Sequence, residues 1–166
     1  MFNPSNYINM KAFRTLITVV SLGILISYSG CSSSGGAAET TQDKQLGLLS
    51  KTWKVSTVTA PNSTDQTTSW TGFQLTISGT KSDTSTFKYS CVSRPTTVLG
   101  PWPANGKWHF GTDPTTQILR DPGVSQVPIT YTLTATSLTL NFTYNGKGYQ
   151  GPRVNEVAGT WIFVFN

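Results

Sequence analysis

A chain of 166 residues has room for one domain plus whatever serves targeting. Its formal net charge of +5 falls to +3 once Lys11 and Arg14 are set aside with an amino-terminal signal, and the ten remaining cations, Lys44 to Arg153, are spread evenly. A nucleic-acid footprint needs them clustered, so nucleic acid is excluded as a partner.

From Met10 the chain reads Met-Lys-Ala-Phe-Arg, then an apolar run from Leu16 to Ile26, then Tyr28-Ser29-Gly30-Cys31. A basic start, a short apolar run and small residues before a cleavage point read as a secretory signal over residues 1–30. The run is too short and too interrupted for a transmembrane anchor. With small residues directly before Cys31, the segment resembles a bacterial lipoprotein signal, departing from it at Tyr28, where Leu is usual. The resemblance implies diacylglycerol on the Cys31 sulfur, cleavage after Gly30 and acylation of the new amino terminus. A plain secreted protein is the alternative. Residues 31–44 open with Ser32 to Ala38, which have nothing to bury and read as a flexible tether. More than one acyl chain anchors stably, each buried methylene adding about 0.8 kcal/mol. The partner so implied is a membrane, held through Cys31. Lipoproteins resembling those of Bacteroidetes often carry an acidic cluster after the Cys when exported to the cell surface. None follows Cys31, which points to the periplasm-facing leaflet of the outer membrane.

Asp43 to Ser50 is predicted to form a short helical turn offering Leu46, Leu48 and Leu49 as a plug. Strands are predicted over Thr52 to Thr59, Trp70 to Ser78, Thr86 to Val92, Gly106 to Gly111, Gln117 to Asp121, Val127 to Thr134, Ser137 to Asn145 and Thr160 to Phe165. The strongest signal is Ile129 to Tyr144, where apolar residues alternate with Thr and Asn on both sides of a short turn. Pairing Leu133 with Leu138, Tyr131 with Leu140 and Ile129 with Phe142 puts every apolar residue on one face, and a one-residue slip would undo the match. Pro128 falls on the polar face and suggests a bulge or an unpaired edge. The last strand, WIFVF at its heart, is apolar on both faces. It therefore needs a partner on each side, and pairing it with the first strand closes the sheet.

A short apolar helix leading into a Trp-bearing first strand and an eight-stranded antiparallel meander resembles the lipocalin-like barrels of small bacterial lipoproteins. Lys51-Thr52-Trp53 stands where lipocalins have Gly-X-Trp, and Pro101 to Phe110 resembles a recurrent element of uncharacterised lipocalin-like lipoproteins. The resemblance covers about Gln45 to Asn166 and implies an all-β, up-and-down, eight-stranded barrel over residues 45–166. Of ligand identity it says nothing.

Chemistry is scarce in the sequence. One histidine and one cysteine beyond Cys31 cannot build a four-ligand zinc site, and no Gly-rich phosphate loop, nucleophile elbow or metal-binding helix is present. Catalytic residues, metals and cofactors are therefore assigned to none, and the chain reads as a non-enzyme. His109 alternates with Trp108 and Phe110 and is expected outside the barrel. Cys91 alternates with Phe87 and Tyr89 and reads as a small buried hydrophobe rather than a reactive thiol. Asp113 and Asp121 adjoin prolines, which turn chemistry explains.

Arg120 shares a face with Ile118, so it sits either at a barrel mouth with its charge in water, the expected place, or inside, where it must find a carboxylate or several acceptors or could hold an anionic head group. The loop Arg94 to Asn105, stiffened by Pro95, Pro101 and Pro103, is either a lid or a recognition loop with Trp102 as its anchor. Two functions follow. One is a lipoprotein binding a small hydrophobic ligand in the barrel, with Trp102 as lid contact, Arg120 as polar anchor and Trp108, Phe110, Tyr131 and Phe142 as the wall. The other is a structural or protein-interaction lipoprotein whose aromatic side chains fill the barrel and leave no room for a ligand.

Overall fold

Alternation along the strands becomes an inside and an outside. A computed structural model describes residues 38–123, 125–149 and 157–166, of which Glu39–Asn166 form one compact unit. The expected signal and Cys31 lie outside the described residues. The helix α1 (Thr41–Leu49) starts two residues before the expected turn, because Thr40 caps it: the Thr40 hydroxyl accepts from the Asp43 N–H at 3.1 Å. Nine strands follow: β1 (Thr52–Ala60), β2 (Thr64–Asp65), β3 (Gln74–Thr80), β4 (Asp83–Val92), β5 (Asn105–Phe110), β6 (Gln117–Arg120), β7 (Val127–Leu133), β8 (Leu138–Tyr144) and β9 (Gly159–Phe165). Consecutive strands from β3 to β9 pair antiparallel, β1 pairs with β3 on one edge and β9 on the other, and β2 is a two-residue addition to β1. The fold is thus all-β: a closed eight-stranded antiparallel barrel, lipocalin-like, with one short helix before it.

The expected hairpin register is observed, with Tyr131 opposite Leu140 and Leu133 opposite Leu138. Closure is also as expected, Thr57 to Thr59 pairing with Val164 to Ile162. Pro128 needs no bulge. It faces Leu119 on β6, and the β7–β8 pairing begins only at Thr130, so its missing N–H breaks no bond on that side. Three strands differ from expectation: the two-residue β2 is unforeseen, β4 begins at Asp83 rather than Thr86, and β3 begins at Gln74 rather than Trp70, because Thr67–Trp70 turn as a 3₁₀ helix that drops Trp70 into the core.

Inward positions carry the core, and all five tryptophans are buried in it. Outward positions carry Thr, Ser, Asn and Lys, the reverse of a barrel whose outer band faces lipid. Among the described residues no helix is long and apolar enough to cross a membrane, which says nothing of strands. Leu46 and Leu49 of α1 close one end of the barrel, where the Trp53 indole donates to the Leu49 carbonyl at 3.0 Å. The other end, reached by the carboxyl termini of β1, β4, β6 and β8, is closed by the loop of residues 93–104 and by Trp70.

Candidate functional site

The loop between β4 and β5 cannot continue either strand, since Pro101 and Pro103 flank Trp102 and fix the local backbone. The backbone folds over the barrel end and Trp102 points in, 3% exposed. Its ring meets Phe142 at 5.6 Å, Tyr89 at 5.7 Å and Phe163 at 6.0 Å between centroids, each edge-to-face. Arg94 Nη1 donates to the Trp102 carbonyl at 3.3 Å, and Gly100 exchanges backbone hydrogen bonds with Tyr149. The segment is therefore a lid that also plugs the barrel.

Arg120 is the charge beneath that plug. It is 2% exposed, which corrects the expectation of a guanidinium reaching water at the barrel mouth. A buried guanidinium needs acceptors and a counter-charge. Nη1 donates to the Pro101 carbonyl at 2.8 Å, and Nε lies 3.2 Å from Asp121 Oδ2, an ion-pair distance without hydrogen-bond alignment. Its faces are covered by Trp102, Tyr144 and Phe142, with ring centroids 4.9, 5.5 and 5.7 Å from Cζ. The site therefore holds a cation locked between a carboxylate, a carbonyl and three aromatic rings.

Tyr89 and Asp121 complete the cluster, and neither stood out in the sequence. The Tyr89 hydroxyl donates to Asp121 Oδ2 at 2.7 Å, and burial, with that bond, pushes its ionisation far above the ordinary range of a phenol. Asp121 reaches this position because its backbone turns left-handed, at φ +49°, directly after β6. Adjacent Pro122 and Gly123 signalled the turn, but not that its carboxylate points back over the barrel.

Of the other expected wall residues, Phe142 joins Trp102 and Arg120 at the loop end. Trp108 lies mid-barrel, stacked on Phe87 at 4.7 Å and donating to the Ser78 carbonyl at 3.1 Å. Phe110 packs edge-on to Trp108, and Tyr131 belongs to the helix end, its hydroxyl within reach of Gln45 Oε1 and the Pro114 carbonyl. The six residues do not converge on one open pocket. Among the described residues, the space inside the barrel is a void of ≈ 10 Å³ lined by Tyr89, Trp102, Trp108, Arg120 and neighbouring aliphatic side chains, room for about one water.

His109 is half-buried on the outward side, opposite Leu119. Cys91 is buried, and burial pushes its thiol up to about 12, which leaves it protonated and inert near neutral pH. Among the described residues no three His, Cys, Asp or Glu side chains are placed to hold a metal ion. Comparison of the chain with protein-family models, curated proteins and solved structures found no match.

Proposed function

We propose that this protein is a non-enzymatic lipoprotein, anchored to the periplasmic face of the outer membrane through acyl chains on Cys31, whose barrel is a filled, rigid support and whose binding is done at its surface. The observation that carries this reading is the interior: among the described residues, two closed ends and a void of ≈ 10 Å³. Hydrophobic ligands occupy pockets of roughly 300 Å³ or more. Titrating the purified protein with fatty acids while following tryptophan fluorescence tests it, and the expected result is no saturable change.

A second reading, a small hydrophobic ligand inside the barrel, is supported by one observation. Among the described residues the buried Trp102 Nε1 has no hydrogen-bond partner, and Arg120 Nε has only the unaligned Asp121 contact. A ligand that displaced Trp102 and presented an acceptor would satisfy both. Under that reading the same titration saturates in the wild type, and Trp102→Ala and Arg120→Ala change it.

A further inference from the structure

The lysines are spread along the chain, yet folding sets two of them face to face. Lys88 on β4 stands directly opposite Lys107 on β5 and opposite Ser78 on β3, and both lysines are exposed on the outward side of the barrel wall. Like charges directly opposite each other on neighbouring strands are destabilising. Among the described residues neither lysine is within ion-pairing distance of a carboxylate. Asp83, at the start of β4, accepts from Ser85, and Asp121, after β6, is engaged by Arg120 and Tyr89. Glu156 is the one acidic side chain outside the described residues, and it lies on the connection into β9, which pairs with neither β4 nor β5. Within the described fold the pair has a cost and no compensating partner.

Around the lysines the wall is shallow and polar. Ser78, Ser90 and Asn105 join Lys88 and Lys107 in lining a depression of ≈ 600 Å³, and all five side chains are exposed. Two ammonium groups flanked by hydroxyls and an amide suit the oxygens of a phosphate group. Along β7 and β8, by contrast, the outward positions hold only Pro, Thr and Asn. The place where the chain enters the barrel decides which phosphate. Glu39, just before α1, is ion-paired with Lys81 in the turn between β3 and β4, and Ser78 lies three residues back along β3, about 10 Å away. Glu39 stands eight residues after Cys31, a stretch that spans at most about 28 Å. Acyl chains on Cys31 would therefore keep the hairpin of β3 and β4 within that reach of the bilayer. An anionic lipid surface attracts each lysine brought near it, and the attraction fades within a Debye length.

Resting on the lipid-anchor reading above, we propose that the outward wall of β3, β4 and β5 docks on the membrane that holds the anchor, with Lys88 and Lys107 against the phosphates of anionic lipids. The test is acylation footprinting of the full-length lipidated protein in vesicles, either of phosphatidylcholine alone or of phosphatidylcholine mixed equally with phosphatidylglycerol. A water-soluble amine-reactive reagent is used, and mass spectrometry reads each lysine. Phosphatidylglycerol is expected to slow modification of Lys88 and Lys107 about fivefold or more, an effect that high salt removes, while Lys147, exposed between β8 and β9, reacts alike in both. Lys107→Gln should abolish most of the protection of Lys88 yet leave the melting temperature unchanged or higher, since it removes a like-charge pair. Equal modification of Lys88 and Lys107 in the two kinds of vesicle, with the protein floating with both, would overturn the docking and leave the anchor standing. Protection by polyglutamate in solution but not by vesicles would also overturn it, giving the wall to an acidic protein. Failure of the protein to float with phosphatidylcholine vesicles would overturn the anchor, and the docking with it.

Discussion

Tyr89 donates to Asp121 across the backbone of Gly106, and the absence of a side chain at Gly106 is what lets them meet. A Cβ there would come within 2.6 Å of the Tyr89 ring at Cζ and would land on Asp121 Oδ1. Asp121 in turn supplies the only carboxylate ion-paired with buried Arg120 among the described residues. Asp121→Asn is expected to destabilise the fold by about 2–3 kcal/mol, below the full cost of breaking a buried pair because the Asp121 side chain is 24% exposed. Adding Arg120→Met should recover most of that loss, since an apolar side chain of similar volume needs no counter-charge. Gly106→Ala should cost about 1–3 kcal/mol through overpacking. Urea denaturation of the four proteins decides it, and a double variant no more stable than Asp121→Asn would show that the charge is not what matters.

Trp102→Ala removes the plug and is expected to cost about 3–5 kcal/mol, the range for emptying a large aromatic site. It should also create an interior that binds small apolar probes, with Arg120 now exposed to them. Xenon binding or a solvatochromic dye would report the opening. A variant of wild-type stability would mean that the loop fills the space another way.

The tyrosines make the fold sensitive to alkali. Burial raises Tyr131 and Tyr144 from 10.0 to about 12, and Tyr89 higher still. Between these values the unfolded chain has released protons that the folded chain retains, so unfolding is favoured as pH rises. Stability is therefore expected to be complete below pH 10 and to fall as pH climbs toward about 12. Tyrosinate absorbance and circular dichroism followed together test this, and early tyrosinate formation with no loss of stability would contradict it.

Under the proposed reading, anchoring rests on Cys31. Cys31→Ala should move the protein from the membrane fraction to the soluble one, because the Ser and Gly stretch after it offers no other hold. Wild-type protein that takes up no fatty-acid label would remove the lipoprotein reading.

The sequence made some of this architecture legible and left the rest hidden, for a common reason. Leu133 with Leu138 and Tyr131 with Leu140 were readable because one buried face fixes the register of neighbouring strands. Alternation predicts β3 from Trp70, whereas the strand starts at Gln74: Trp70 and Phe73 are both buried, yet Trp70 arrives there through a 3₁₀ turn. Alternation reports burial, not the backbone path that achieves it. At the candidate site, Trp102 between two prolines was recognisable as something outside the sheet. Alternation leaves Arg120 open between mouth and interior, since its acceptor at Pro101 comes from a separate loop and its counter-charge at Asp121 depends on a left-handed turn.

The seam between β1 and β9 sets the order of assembly. Thr59 and Ile162 face each other across about a hundred residues of chain, a contact of the kind that slows folding. Until Trp161 to Phe165 are available, β1 and β8 each present a bare edge and the aromatic interior has no wall on that side. The barrel cannot be completed piecemeal from its amino terminus. Until β9 arrives the wall stays open along one seam, and its arrival is what shuts the barrel.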